Sequence, residues 1–201
     1  ELTVGIVRFE YNNRPRGGLC TQFLADEIGE TGAPIGVFMS PTKSFILPED
    51  KETDIIMVGP GTGIAPFRAF MEQRVHDGGG GRNWLFFGDQ SEKTEYYYKD
   101  TIEGWMDEGH LYKFTTAWSR DQAEKIYVQH RMREHGEEMW NWIDNGAYFY
   151  VCGDKSRMAK DVHRALIDIA IEHGGMSETD ATDFIEKKMM REEKRYLRDV
   201  Y

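Results

Sequence analysis

Short apolar runs alternate with helical patterns along the chain from Thr53 onward. This alternation is typical of a parallel β-sheet that is covered by helices on both faces. The apolar runs predict strands at residues 54–59, 83–88, 111–118 and 147–152. The stretches between and after them predict helices at residues 64–76, 96–108, 128–134, 155–173 and 177–190. The pattern therefore indicates the α/β fold class.

The first 52 residues have a different pattern. LTVGIVRFEY is β-rich, NNRPRGG is typical of a turn, a short helical stretch follows, and APIGVFM predicts another strand. The segment TKSFILPEDKET, with its proline and its charges, is typical of a linker. We therefore expect the end of a β domain over residues 1–52 and an α/β domain over residues 53–201. Because the chain opens on Glu1 rather than Met, we also expect it to be a piece of a longer protein.

Charge and cysteine content narrow the classes of function. The 201 residues include 35 acidic and 25 basic side chains, a formal net charge of −10, which disfavours nucleic acid as a partner. An acidic surface favours solubility, and docking to a basic partner is the alternative. No apolar run could span a bilayer and no secretion signal is recognisable, so a soluble, cytoplasmic protein without a membrane partner is expected. Cys20 and Cys152 are too few for a disulfide framework and lack the spacing of a zinc site.

The segment DIIMVGPGTGIAPFRAF reads as a strand, a glycine loop and a helix in that order. This order lets backbone N–H groups at the start of a helix face a pyrophosphate. The loop departs from the GxGxxG fingerprint, which needs glycine where Ile64 or Pro66 stands. A glycine-rich turn without a ligand is therefore an equally good interpretation of the loop by itself.

Two further segments carry candidate chemistry. SRDQAEKIY offers the side chains of Ser119, Arg120, Lys125 and Tyr127, which suit a dianionic phosphate, although an ordinary solvated charge cluster has the same composition. Cys152 follows the apolar run AYFYV and is placed at the carboxyl end of a strand, where open α/β sheets bind ligands. A lone cysteine at such a position is more often a small buried hydrophobic residue.

Several strings together extend these observations to a family resemblance. GPGTGIAPFRAF is followed by WLFFGD, WSRDQAEKIYVQ, YVCGDKSRMAKDV and the terminal RYLRDVY. In this order they resemble the ferredoxin-NADP reductase superfamily, and within it the diflavin reductases, above all the flavoprotein component of assimilatory sulfite reductases. The resemblance runs through nearly the whole chain. It implies a five-stranded parallel NADP-binding sheet with helices on both faces, preceded by the C-terminal part of an antiparallel β-barrel FAD-binding domain.

The resemblance also implies roles for particular residues. The phosphates of NADPH would lie on the glycine loop, its 2′-phosphate on the segment after the third strand, and its nicotinamide beside the cysteine. Tyr201 would stack on the flavin and move aside before hydride transfer, and Asp199 would help to hold the cysteine and the nicotinamide. The residues implied to contact NADPH are Gly61, Thr62, Gly63, Ser119, Arg120, Lys125, Tyr127, Gln129, Cys152 and Asp154.

The flavin site is expected to be incomplete. Gly18, Leu19, Cys20 and Thr21 match the segment of the family that wraps the FAD pyrophosphate, although such a tetrapeptide is more often a simple strand-to-helix turn. The upstream flavin motif of the family, of the type Arg-x-Tyr-Ser, is absent from the sequence. We therefore expect half of the FAD site, and all of the FMN site, to belong to a missing N-terminal portion.

Two hypotheses for the function follow. In the first, the parent protein is an NADPH-dependent flavoprotein reductase that passes electrons from FAD through a flavodoxin-like FMN domain to a sulfite-reducing haemoprotein, in sulfur assimilation and cysteine biosynthesis. A related reductase would serve a cytochrome, ferredoxin or flavodoxin instead, because fold and cofactor do not fix the acceptor. In the second, the chain is an inactive nucleotide-binding module.

Overall fold

The computed structural model describes residues 2–201 and divides the chain into two compact units. The N-terminal unit ends at Lys43, and the second unit, called the α/β unit below, spans Ser44–Tyr201. In the described part of the chain, no helix is both long and apolar enough to cross a bilayer.

The N-terminal unit contains a hairpin and a helix. Strands β1 (Arg8–Tyr11) and β2 (Arg14–Gly17) pair antiparallel around Asn12 and Asn13, which both have positive φ, as a tight two-residue hairpin turn requires. The helix runs over residues 19–31 as α1 (Leu19–Gln22), a π-helical stretch (Phe23–Ile28) and α2 (Gly29–Thr31). It ends at Gly32, whose φ of 64° is the left-handed conformation favoured after a helix.

One expectation for this unit, the strand over APIGVFM, is wrong. APIGVFM forms no strand, and residues 32–42 have no regular structure. Val37, Phe38 and Met39 are 77%, 91% and 95% exposed, so this segment has neither a partner strand nor a core to pack on. Residues 2–43 also contain no part of a barrel beyond the two-stranded hairpin.

The α/β unit is built on a five-stranded, all-parallel sheet, which confirms that prediction. Its strands are β3 (Ile55–Val58), β4 (Asn83–Asp89), β5 (Lys113–Trp118), β6 (Tyr148–Gly153) and β7 (Tyr196–Val200). Their order across the sheet is β5-β4-β3-β6-β7. The chain thus moves outward from β3 through β4 to β5 and then returns to place β6 on the other side of β3. The carboxyl ends of β3 and β6 therefore flank the point where the strand order reverses, which is where open α/β sheets bind their ligands.

Helices connect these strands. A 3₁₀ turn (Gly61–Ile64) leads into α3 (Ala65–Asp77), and a π-helical stretch (Phe184–Glu192) continues the last α-helix. The remaining helices are α4 (Glu92–Glu95), α5 (Lys99–Asp107), α6 (Val128–Glu134), α7 (Gly136–Asp144), α8 (Met158–Glu172) and α9 (Glu178–Asp183).

Alternate residues of the inner strands divide the core between the two faces of the sheet. Ile56 and Val58 pack on one face with apolar side chains of α6, α7 and α8. Ile55 and Met57 pack on the other face with side chains of α3 and α5. Both faces are covered, and this is why the strand sequences are continuous apolar runs rather than alternating ones.

Some element boundaries differ from the predicted ones. Helix α7 was not predicted, although Met139, Trp142 and Ile143 have helical spacing and are buried. The pattern of apolar residues also did not predict strand β7. Helix α8 begins at Met158 rather than at residue 155, because the Asp154 carboxylate accepts the backbone N–H groups of Ser156, Arg157 and Met158 and holds a turn there.

Candidate nucleotide-binding site

A cleft of about 510 Å³ lies beyond the carboxyl ends of β3, β4, β5 and β6. This volume is within the usual range of small-molecule sites. The loops after all four strands contribute to it. Its lining residues are Pro60, Gly61, Gly88, Asp89, Gln90, Ala117, Ser119, Tyr127, Val128, Gln129, Asp154, Arg157, Met158 and Asp161.

The glycine loop after β3 forms one wall of the cleft. Glycine is needed at positions 61 and 63 of this loop for different physical reasons. Gly61 has a φ of 58°, and only an Asp89 carboxylate oxygen, at 3.6 Å, would approach a β-carbon placed on it. Gly63 faces the sheet, where a β-carbon would lie 2.2 Å from the carbonyl oxygen of Cys152. The absence of a side chain at Gly63 therefore lets the loop pack against the end of β6, and the backbone at Gly61 remains open to a ligand.

The loop after β5 forms a second wall. Backbone N–H groups of Ser119 and Arg120 donate to the carbonyl oxygens of Asp89 and Gln90, at 2.9 and 2.8 Å, which fixes this loop to the end of β4. Ser119 and Tyr127 line the cleft. Arg120 and Lys125 are exposed and do not line the cleft in this conformation.

The loop after β6 and the start of α8 form the third wall. The Asp154 carboxylate accepts the Ser156 hydroxyl at 2.6 Å as well as three backbone N–H groups. These hydrogen bonds stabilise the ionised form, and the pKa of Asp154 lies well below its ordinary value. The contacts of Asp154 described by the structure therefore hold the turn that places Arg157 on the cleft.

Gln129 and Asp161 join two walls of the cleft. Gln129 is buried, and its side-chain amide donates to the Asp161 carboxylate at 3.3 Å. Asp89, at the end of β4, has a pKa raised mainly by its burial. Since the cleft carries carboxylates as well as the Arg157 guanidinium, an anionic ligand would depend on the glycine-loop backbone and on arginine for its contacts.

Two further predicted residues of the α/β unit, Cys152 and Asp199, lie on β6 and β7. Cys152 and Asp199 are directly paired in the register of these parallel strands. The Cys152 thiol is buried, and burial, followed by the negative charge of Asp199, raises its pKa to about 12. The group is therefore a neutral thiol at physiological pH, without the thiolate that a nucleophile needs.

Tyr201 joins the end of the chain to the glycine loop. Its backbone N–H donates to the Gly153 carbonyl at 3.2 Å, and its carbonyl accepts the Lys155 N–H at 3.0 Å. Its side chain is 68% exposed, and its hydroxyl lies 2.9 Å from the hydroxyl of Thr62. These backbone hydrogen bonds to Gly153 and Lys155 hold Tyr201 directly beyond the end of β7.

In the N-terminal unit, residues Gly18–Thr21 form the entry to the helix. Gly18 is extended and precedes α1, and its N–H donates to the Val7 carbonyl at 2.8 Å. The Thr21 hydroxyl accepts the Val7 N–H at 3.2 Å and donates to the Gly18 carbonyl at 3.3 Å. Leu19 and Cys20 are exposed. These bonds describe a strand-to-helix turn, the simpler of the two interpretations of this tetrapeptide, and leave its predicted flavin contacts untested.

Comparison with protein-family models matches residues 57–164, more than half of the chain, to the family described as "Oxidoreductase NAD-binding domain". The chain belongs to this family.

Curated relatives are similar over the whole chain. It is 52% identical over 199 residues to the sulfite reductase [NADPH] flavoprotein alpha-component of Pectobacterium atrosepticum, covering 99% of this chain and 32% of that protein. Proteins of the same name from Mannheimia succiniciproducens and Escherichia coli O1:K1 are 48% and 49% identical over 200 residues, which are 100% of this chain and 33% of each relative. The resemblance to sulfite reductase flavoproteins is confirmed. The chain spans about a third of the length of these relatives.

The segment matched to the oxidoreductase NAD-binding family begins in β3 and ends in α8, so it contains all three walls of the cleft. The residues present fit a dinucleotide, because the loop that would hold phosphate is open at Gly61 and the cleft is large enough for part of the ligand. Arg157 and Asp161 were missed as site residues. The signal was available in YVCGDKSRMAKDV, where Arg157 lies in the first turn and Asp161 in the second turn of the predicted helix.

Proposed function

We propose that this chain is the NADPH-binding part of a flavoprotein reductase. The observation that carries the proposal is the cleft at the point where the strand order reverses, with the loop GPGTG on one side and the start of α8 on the other. In α/β sheets of this kind, dinucleotides bind at that point with the pyrophosphate near the start of a helix. The names of the relatives, which specify NADPH, support this coenzyme for the cleft.

The proposed pose places the phosphates on Gly61, Thr62 and Gly63. Ser119, Arg120, Lys125 and Tyr127 would hold the 2′-phosphate, and Gln129, Asp154 and Arg157 would complete the cleft. Arg120 and Lys125 are exposed and would have to turn toward the ligand, a change that flexible surface side chains make readily. A guanidinium and an ammonium are the groups that distinguish a 2′-phosphate from a 2′-hydroxyl most strongly.

We assign Cys152, Asp199 and Tyr201 to the hydride-transfer end of the site. FAD, when bound, would accept the hydride from the nicotinamide. The buried, neutral thiol of Cys152 would orient the nicotinamide without forming a bond to it, and the Asp199 carboxylate would favour its cationic, oxidised form. The ring of Tyr201 would cover the flavin and rotate away to admit the nicotinamide.

The whole protein would then resemble its longer relatives. Residues 1–52, with Gly18–Thr21, would form the end of an FAD-binding domain, and residues 53–201 the NADPH-binding domain. Electrons would continue through FMN in a flavodoxin-like domain to a sulfite-reducing haemoprotein, in the cytoplasm. This assignment is supported by the name of the relatives, which identifies them as components of sulfite reductase.

The first test is the visible absorption spectrum of the purified chain, recorded anaerobically before and after NADPH is added. Flavin bands that bleach on addition are expected if the chain retains FAD in a competent site. A colourless chain that binds NADP⁺ would restrict the proposal to the NADPH-binding half, as the nucleotide-module hypothesis holds. A chain that binds neither flavin nor NADP⁺ would contradict the proposal.

The coenzyme assignment is tested by Arg120→Ala, with titrations of NADP⁺ and NAD⁺. Loss of a charged hydrogen bond to the 2′-phosphate should weaken NADP⁺ binding by about 10- to 100-fold and leave NAD⁺ binding nearly unchanged. Arg191→Ala is a matched control, because Arg191 is an exposed arginine near the end of the C-terminal π-helical stretch and outside the cleft. Equal losses for both coenzymes would rule out a 2′-phosphate contact.

A further inference from the structure

The hydrogen bond between Tyr201 and Thr62 connects the last residue of the chain to the proposed phosphate loop. The two hydroxyl oxygens are 2.9 Å apart, and either could be the donor. The backbone of Tyr201 is fixed on both sides by its bonds to Gly153 and Lys155. The position of the phenol therefore depends on side-chain rotation, since the backbone cannot move without breaking these bonds.

A bound phosphate would determine which of the two hydroxyl groups is the donor in this hydrogen bond. A hydroxyl has one hydrogen to donate and can also accept, whereas an ionised phosphate oxygen only accepts. If Thr62 donates to a phosphate, its own hydrogen is used, and its oxygen remains available as an acceptor. Tyr201 can then donate to Thr62 at the same time. The two bonds form a chain from phenol to threonine to phosphate in which each bond polarises the next.

We propose that, while its ring keeps the position seen in the structure, the Tyr201 hydroxyl donates to Thr62 Oγ1 and thereby orients the Thr62 hydroxyl toward a pyrophosphate oxygen of the bound nucleotide. Thr62 contacts the ligand, and Tyr201 is a positioning residue that acts through it. This inference rests on the proposed function. It adds to Tyr201 a role of its hydroxyl that is separate from the role of its ring, so a phenylalanine at this position keeps one and loses the other.

The test compares two probes that share the 2′-phosphate. NADP⁺ also contains the pyrophosphate and the nicotinamide riboside, whereas adenosine 2′-monophosphate contains neither, so the assignment to the pyrophosphate depends on the cycle with Thr62 described below. Tyr201→Phe should weaken NADP⁺ binding by about 2- to 5-fold, the lower part of the range for a neutral hydrogen bond, because this bond is exposed. Binding of adenosine 2′-monophosphate should not change. Tyr11→Phe is the matched control, since Tyr11 is 62% exposed and lies in the hairpin of the N-terminal unit.

A double-mutant cycle tests the connection to Thr62. In a Thr62→Val background, which removes the hydroxyl, Tyr201→Phe should have no further effect on NADP⁺ binding. In a Thr62→Ser background, which keeps the hydroxyl, the 2- to 5-fold effect should persist. Unchanged binding of adenosine 2′-monophosphate shows that each variant is folded, and calorimetry measures all of these affinities without bound flavin.

The possible results separate the two proposals. Tight NADP⁺ binding with no effect of Tyr201→Phe, or with stronger binding in that variant, overturns the hydroxyl chain and leaves the proposed function intact. Stronger binding would mean that Tyr201 and the phosphate compete for Thr62. If the unmodified chain binds neither probe, the proposed function fails, and the inference that rests on it fails too.

Discussion

The α/β unit and the N-terminal unit differ in how far they bury their apolar side chains. The α/β unit has two buried clusters, one on each face of its sheet. In residues 2–43 no side chain is buried, and large apolar residues such as Phe38 and Met39 are more than 90% exposed. Burial contributes about 25 cal/mol per Å² of apolar surface, so only one of the two units has a substantial source of folding free energy within itself.

This difference in burial indicates which of the two units can form a binding site by itself. The cleft, the cysteine and the terminal tyrosine all belong to the unit that has its own core. The predicted flavin segment Gly18–Thr21 belongs to the unit that has no core. We therefore expect nucleotide binding to be a property of the α/β unit and flavin binding to need more protein than this chain contains.

The largest expected effect comes from separating the units. A fragment of residues 44–201 should unfold cooperatively on heating and bind NADP⁺ as the full chain does. A peptide of residues 2–43 should show no cooperative transition, because a lone hairpin and a 13-residue helix are marginal in water. Circular dichroism and calorimetric titration measure these outcomes. A cooperative transition in the peptide, or its loss in the fragment, would reverse the comparison.

The two cysteines should differ in reactivity, since one lies in each unit. Cys20 is exposed, whereas Cys152 is buried with a pKa of about 12 instead of the ordinary 9.0. The raised pKa leaves Cys152 with much less thiolate at pH 8 than a thiol of ordinary pKa, and burial slows attack further.

Iodoacetamide at pH 8 should therefore label Cys20 within a time that leaves Cys152 unmodified, as peptide mass spectrometry would detect. Labelling of Cys152 should become faster as the pH rises toward 12, because the thiolate fraction increases. The same reaction in denaturant, where both residues should react, is the control. Equal labelling of the two residues in the native chain would show that β6 is open to solvent.

A glycine in each unit provides a third contrast. In Gly63→Ala the new methyl group would lie 2.2 Å from the backbone carbonyl oxygen of Cys152, which cannot rotate away. We expect a loss of about 3 kcal/mol in the free energy of unfolding, together with weaker NADP⁺ binding. Gly36→Ala in the N-terminal unit has no atom within 4 Å of the new methyl group and should change stability by less than about 0.5 kcal/mol. Urea denaturation of both variants would show similar losses only if Gly63 were loosely packed.

Sequence reasoning predicted the elements whose own residues indicate their surroundings in the fold. It missed those that depend on a partner elsewhere in the chain. The strand around Ile56 is apolar at every position because both faces of the sheet are covered, and the glycine loop follows it directly. APIGVFM has the same β-rich composition, yet a strand also needs a neighbour, and none of the described residues provides one. Strand β7 was missed for a different reason: its polar residues Arg198 and Asp199 are adjacent, so the segment has neither an apolar run nor an alternating pattern, and only its pairing with β6 defines it as an edge strand.

The candidate site was predictable to a similar extent. Loops after parallel strands meet at one edge of the sheet, so the meeting of Gly61 with Ser119 followed from the strand assignments. The inward position of Arg157 depended on a turn made by Asp154, and the contact between Thr62 and Tyr201 joins residues 139 positions apart. The Asp154 turn is local, and its signal was missed, whereas the contact between Thr62 and Tyr201 has no local pattern and could not be predicted from the sequence.

The smallest expected effect is a gain in stability within the α/β unit. Gly104 lies in α5, and no atom is within 4 Å of the methyl group that alanine would add. Gly104→Ala should raise the free energy of unfolding by about 0.5–1 kcal/mol, because alanine loses less backbone entropy in a helix. Gly146→Ala is the control, since its site is equally open but its φ of 92° strains any residue with a side chain, at a cost of about 1–2 kcal/mol. Opposite shifts of the thermal midpoint would show that α5 unfolds together with the core, whereas no shift for Gly104→Ala would mean that this helix opens separately.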